Sequence, residues 1–223
     1  MPAPETALII GAGPGLSASL ARLCARSGMQ VALAARNPEK LATLAAETHA
    51  LTFSCDAADP AAVAALFAQL DAAWPAPPDL VVWNGSARLR APLLELDPAR
   101  VRDTLLGTAY AGFLIAQQAA RRMLPRGSGT LLFTGATASV SARAHSAAFA
   151  MGKFALRALA QSLSRELHPQ GIHVAHIVID GAIAPTGQAL HPDAIAAEYL
   201  HLHRQPRSAW SSELEIRPFA EKF

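Results

Sequence analysis

Short, continuously apolar runs alternate with longer, alanine-rich stretches of helical period along the chain. Runs such as Leu8-Ile9-Ile10 and Leu80-Val81-Val82-Trp83 have no polar face. Strands read that way when both faces are buried, as in a parallel sheet covered by helices. The pattern predicts strands over 5–10, 30–35, 49–54, 79–83, 129–134, 172–178 and 212–216. It predicts helices over 15–28, 38–47, 60–73, 98–123, 147–167 and 192–203. This alternation specifies an α/β fold: a doubly wound parallel sheet of about seven strands with helices on both faces. Right-handed crossovers then bring the C-terminal end of every strand to one edge, where ligands bind.

Composition narrows the picture only a little. The 223 residues suit one unit, 1–223, ending in a short C-terminal tail. The formal net charge of +2 is too small to draw in a nucleic acid or a membrane through bulk electrostatics. No stretch is apolar over the ~18 residues a membrane span needs. The N-terminal run MPAPETALIIGAG has no basic segment before its short apolar core, so no signal peptide is expected there. Cys24 and Cys55 fall in apolar patterns without metal-ligand spacing and read as two buried thiols of a reducing compartment. The expected location is cytoplasmic. His173 and His176 fall on opposite faces of a strand, and His201 and His203 do not share a helix face, so no metal site is expected.

The chemistry begins at the end of the first strand. Gly11-Ala12-Gly13-Pro14-Gly15-Leu16-Ser17 leads directly into a helix. Glycines allow a tight turn and close approach of a pyrophosphate, and the helix start offers free N–H groups. An ordinary strand-to-helix loop is the plainer alternative. The second strand ends in Arg36-Asn37. An acidic residue there would hold the ribose 2′-hydroxyl of NAD; Arg36 instead suits a 2′-phosphate. The expected cofactor is therefore NADP(H), bound to a Rossmann-type domain. Asp56-Ala57 after the third strand and Asn84-Gly85 after the fourth fall on the same edge. The carboxylate can accept from an adenine amino group, and the small turn can pass under the ribose.

With these loops and the segment 145–181, the chain resembles the short-chain dehydrogenase/reductase family over nearly its whole length. The family's glycine turn is GxxxGxG. Gly11 and Gly15 match it, Ser17 replaces its third glycine, and Gly13, Pro14 and Leu16 fill the turn. The resemblance implies that the Ser17 hydroxyl can reach a phosphate. The family's NNAG reads Trp83-Asn84-Gly85-Ser86, and its Pro-Gly turn reads Asp180-Gly181. By resemblance, the Ile183 backbone holds the nicotinamide amide. Residues 184–192 make a short substrate lid.

The catalytic centre departs further. The family uses Tyr-x-x-x-Lys with an upstream Ser and Asn. Here the Lys is Lys153 and the Tyr position is Phe149. The Ser position is Ala136, beside Thr137, and the Asn position falls near Thr108. Phenylalanine has no proton to give, and a positioned acid contributes ~10²–10⁴ in rate. By resemblance, Lys153 still binds the nicotinamide ribose. His145, one helical turn before Phe149, is a candidate replacement acid, or else a solvated loop histidine.

The sequence thus implies an NADP(H)-dependent oxidoreductase with an altered proton route. Its substrate would be a small carbonyl, quinone or activated alkene. The alternative is an NADP(H)-binding sensor or non-catalytic partner subunit. A homodimer or homotetramer is expected from the resemblance.

Overall fold

The computed structural model describes residues 4–220, so the outermost three residues at either end of the expected unit 1–223 lie outside the described residues. The strands are β1 (Thr6–Ile10), β2 (Gln30–Ala35), β3 (Leu51–Ser54), β4 (Leu80–Trp83), β5 (Gly129–Thr134), β6 (Ile172–Ile179) and β7 (Glu213–Ile216). They form one sheet in the order β3-β2-β1-β4-β5-β6-β7, and every pairing is parallel. The order reverses between β1 and β4. A parallel sheet opens a crevice at such a point, beyond the C-terminal ends of its strands.

The helices are α1 (Leu16–Arg26), α2 (Ala42–Thr48), α3 (Pro60–Ala73), α4 (Pro98–Leu105), α5 (Ala111–Met123), α6 (Ala147–Leu167) and α7 (Pro192–His203). Strand side chains alternate between faces, so β1 feeds two cores. Leu8 and Ile10 pack with residues of α3, α5 and α6; Ala7 and Ile9 pack with those of α1, α2 and α7. Two helices start on the same device. Asp59 and Asp97 each accept from the backbone N–H two residues on, with Pro60 and Pro98 in the first turn. The aspartate satisfies an orphan donor, and the proline has none to waste.

The rod expected over 98–123 is interrupted. Leu106–Tyr110 is a π turn between α4 and α5. The Trp83 indole on β4 donates to the Thr108 carbonyl at 2.9 Å. A bond from outside the helix rewards the wider turn, and π turns recur at functional sites. Both cysteines are buried free thiols. Burial pushes Cys24 up to about 12 and Cys55 up to about 11. The tail forms edge strand β7, anchored by Trp210 stacked on His173 at 4.8 Å between ring centres. Among the described residues no helix is long and apolar enough to cross a membrane.

Candidate active site

A cavity of about 950 Å³ opens at the crevice beyond β1 and β4. Gly11, Gly13, Pro14, Arg36, Asn37, Asp56, Ala57, Asn84 and Gly85 all line it. Four loops far apart in sequence are therefore brought together as expected.

The glycine turn has two kinds of glycine. Gly11 sits at φ +78°, and a Cβ there would lie 2.7 Å from the Gly85 nitrogen. It lets the ends of β1 and β4 approach. Gly13 and Gly15 face the other way: a Cβ on either would meet nothing within 4 Å. The protein leaves that space open. α1 then follows Gly15, which offers no side-chain cap, and has no acidic residue in its first turn. Its first N–H groups and positive dipole end are available to an anion. This cradle fits the pyrophosphate of a dinucleotide.

Ser17 does something other than expected. It is buried. Its hydroxyl accepts from the Asn84 amide at 2.7 Å and donates to the Gly11 carbonyl at 3.4 Å. The side chain therefore ties α1 to the loop after β4 instead of reaching a phosphate. Asn84 in turn spends its amide on the protein.

Arg36 is exposed at the mouth and makes no ion pair among the described residues. Lys40 lines the cavity one turn further on. Lys40 was missed in the sequence, although its place four residues beyond Arg36 was readable. Arg22, by contrast, is engaged by Glu47 at 2.7 Å. Asp56 turns one carboxylate oxygen to the Ala58 N–H at 3.0 Å, which fixes its loop.

Gly85 is explained by Trp83. A Cβ at Gly85 would run into the Trp83 ring. Gly85→Ala should therefore lower stability, since overpacking of this kind costs about 1–3 kcal/mol. Gly13→Ala should leave the unfolding midpoint near wild type but weaken dinucleotide binding. Thermal unfolding and calorimetry on both variants separate the two; equal stability of Gly85→Ala and wild type would dismiss the Trp83 account.

The other half of the site lies at the start of α6. Phe149, Ala138 and Ala150 form a small buried apolar cluster, with Ala136 packed against it. The neighbouring Ser139 hydroxyl accepts from the Ala136 N–H at 3.1 Å, within the tight turn Thr137–Ser139. Lys153 is buried, and its ammonium donates to the Thr134 carbonyl at 2.7 Å. Burial pushes Lys153 down to about 8. Thr108, fully buried in the π turn, lies against Gly152, where a Cβ would come within 3.1 Å of it.

His145 corrects an expectation. α6 begins only at Ala147, and His145 stands outside it at φ +61°. The helical spacing that would set it beside Phe149 does not apply. It is exposed, and its ring has no hydrogen-bond partner among the described residues. Its carbonyl accepts from Ala91 at 3.0 Å. It is a turn residue, not a placed acid.

Behind Lys153 stands a group that the sequence did not reveal. His176 is fully buried, with Nδ1 3.4 Å from the Glu213 carboxylate. Arg157 clamps Glu213 through two bonds of 2.7 Å. A Cβ at Gly135 would come within 2.5 Å of the His176 ring, so glycine is needed there. Burial holds His176 down at about 4, so it is neutral at ordinary pH. Asp180, in place of the family proline, pairs with Arg217 of the tail at 2.6 Å. Ile183 is half-exposed and bridges to Leu190, which closes the short lid on itself.

The model of the short-chain dehydrogenase family matches residues 5–191. The chain belongs to that family. This short-chain dehydrogenase is 30% identical to D-threitol dehydrogenase of Mycolicibacterium smegmatis, over 89% of this chain and 85% of that one. It is 27% identical to gluconate 5-dehydrogenase of Gluconobacter oxydans, over 94% and 83%. Among solved structures, a short-chain dehydrogenase from Rhodopseudomonas palustris superposes with TM-score 0.88 at 40% identity, covering 98% and 100%. A metagenomic short-chain oxidoreductase in complex with NADP superposes with TM-score 0.87 at 26% identity, covering 96% and 97%. Oxidoreductase chemistry and a nicotinamide cofactor follow from the family.

Proposed function

We propose that this short-chain dehydrogenase uses NADP(H) and reduces a small carbonyl, quinone or activated alkene without the family's phenol. One observation carries the cofactor choice: Arg36 stands unpaired at the end of β2, with Lys40 one turn on and both lining the cavity. Two cations lining the cavity there, with Glu39 between them in sequence but not in the lining, suit a 2′-phosphate, and Arg36 stands where an acid would hold the 2′-hydroxyl of NAD. The solved relative with bound NADP supports the same reading.

When bound, the cofactor supplies the hydride. The chain's own residues hold and orient it. The α1 start and Gly13–Gly15 receive the pyrophosphate. By the family resemblance, Lys153 would donate to the nicotinamide ribose and the Ile183 backbone would hold the amide. Phe149 and Ala136 offer no proton, so the acid is the Lys153 ammonium or solvent.

Titration calorimetry with NADPH and NADH on wild type and Arg36→Ala tests this. Wild type should prefer NADPH by about 10–100-fold, as expected for charge-assisted hydrogen bonds of about 1.5–3 kcal/mol. Arg36→Ala should lose most of that preference. Equal affinity of wild type for both cofactors would remove the NADP(H) assignment, and no binding of either would remove the oxidoreductase reading.

A further inference from the structure

Arg88 follows the fourth-strand turn and lines the same cavity. Its guanidinium carbon lies 5.9 Å from the centre of the Phe149 ring. Phe149 occupies the position of the family's phenol. An aromatic face attracts a guanidinium through its quadrupole. A tyrosine-to-phenylalanine exchange keeps that face and removes only the hydroxyl.

Two features make this arginine more than a surface charge. Its loop is moored to the catalytic helix, because the Ala91 N–H donates to the His145 carbonyl at 3.0 Å, two residues before α6. Arg88 also pairs with no carboxylate among the described residues, and neither does Arg90 on the same strip. By contrast, Arg22, Arg122, Arg126 and Arg157 each hold an acid at 3.0 Å or less. Below Arg88 the floor is apolar: Phe149, Ala138 and Ala150, with Ala136 packed against them. Arg88 is itself exposed, so its guanidinium reaches over this buried apolar floor from the solvent side, where no carboxylate competes with an incoming anion.

We infer that Arg88 binds an anionic group of the substrate, and that the substrate carries a carboxylate next to its reacting carbonyl. Adjacency follows from position. Phe149 marks the side of the site where the carbonyl oxygen meets the family's phenol. A guanidinium on that ring reaches the neighbouring substituent, not a remote one. Its planar fork of donors matches a carboxylate in two parallel bonds. The inference rests on the oxidoreductase reading and narrows its substrate to small 2-oxo acids.

The test reads binding, not turnover. The wild-type chain is loaded with NADP⁺, which has no hydride to give, and titration calorimetry follows the binding of 2-oxopentanoate or its uncharged counterpart 2-pentanone. Wild type should bind the acid at least ~10-fold tighter than the ketone, the effect of one charge-assisted pair. Arg88→Gln should erase that difference, and Arg88→Lys should restore only part of it, since a point charge lacks the fork. Direct NADPH titration of Arg88→Gln separates the two readings. In wild type, normal NADPH affinity with acid and ketone bound alike overturns the assignment to Arg88 and leaves the oxidoreductase standing, and so does an acid preference that survives in Arg88→Gln. Weakened NADPH binding in Arg88→Gln overturns it too, placing Arg88 on a cofactor phosphate. Failure of wild type to bind NADPH removes both.

Discussion

Phe149→Tyr should raise ketone reduction by about 10²-fold in kcat/KM, the lower end of what a positioned general acid supplies. The phenol would stand on the floor formed with Ala138 and Ala150. Lys153 follows one turn later on α6, so the two share a face. A nearby ammonium favours the phenolate and so makes the phenol a stronger acid. The gain is set low for a structural reason. Ala136 brings no hydroxyl to share the substrate oxygen, and the resemblance puts the family's asparagine near Thr108. Adding Ala136→Ser should therefore raise the rate further, by about tenfold from one more hydrogen bond in the transition state. Steady-state rates with NADPH and a ketone panel would measure both steps. No gain in either variant would mean that position 149 does not face the reacting carbonyl.

The parallel sheet was legible because its strands and helices rest on local signals. Buried strands are continuously apolar, and helices carry their start residues with them, as at Asp59-Pro60 and Asp97-Pro98. The cofactor edge was legible for the same reason, since Gly11, Arg36, Asp56 and Asn84 each close a strand. What escaped depends on partners distant in the chain. The π turn at Leu106–Tyr110 has no periodic signature and answers to an indole on β4. Ser17 looked free for a phosphate because nothing nearby in sequence reveals Asn84 as its partner. Asp180 reads as a changed Pro-Gly turn until Arg217 arrives from just beyond β7. His145 precedes the start of α6 at Ala147, so the helical spacing that suggests a place beside Phe149 does not hold there. Several of these contacts come in matched pairs: Trp83 with Gly85, His176 with Gly135, Asp180 with Arg217.

Lys153→Met should make the protein more stable at pH 7 and a poorer binder of NADPH. The ammonium is fully buried with a single carbonyl partner. Burial lowers its pKa from 10.5 to about 8, which corresponds to a penalty of about 3 kcal/mol on the folded state while the lysine is charged. Methionine removes that penalty. It also orphans the Thr134 carbonyl, at about 1–2 kcal/mol, so the net gain is about 1–2 kcal/mol. The pH dependence has a definite sign. Below about 8 both folded and unfolded chains hold the proton, and the penalty is constant. Between about 8 and 10.5 only the unfolded chain holds it, so stability rises with pH across that window. In Lys153→Met that rise should vanish. Urea unfolding at pH 7 and at pH 9.5, with NADPH titration of both proteins, measures every part. A variant less stable than wild type at pH 7 would make Lys153 a structural residue. A variant that gains stability while losing cofactor affinity would show a charge held in the core against folding, and only binding or catalysis rewards such an arrangement.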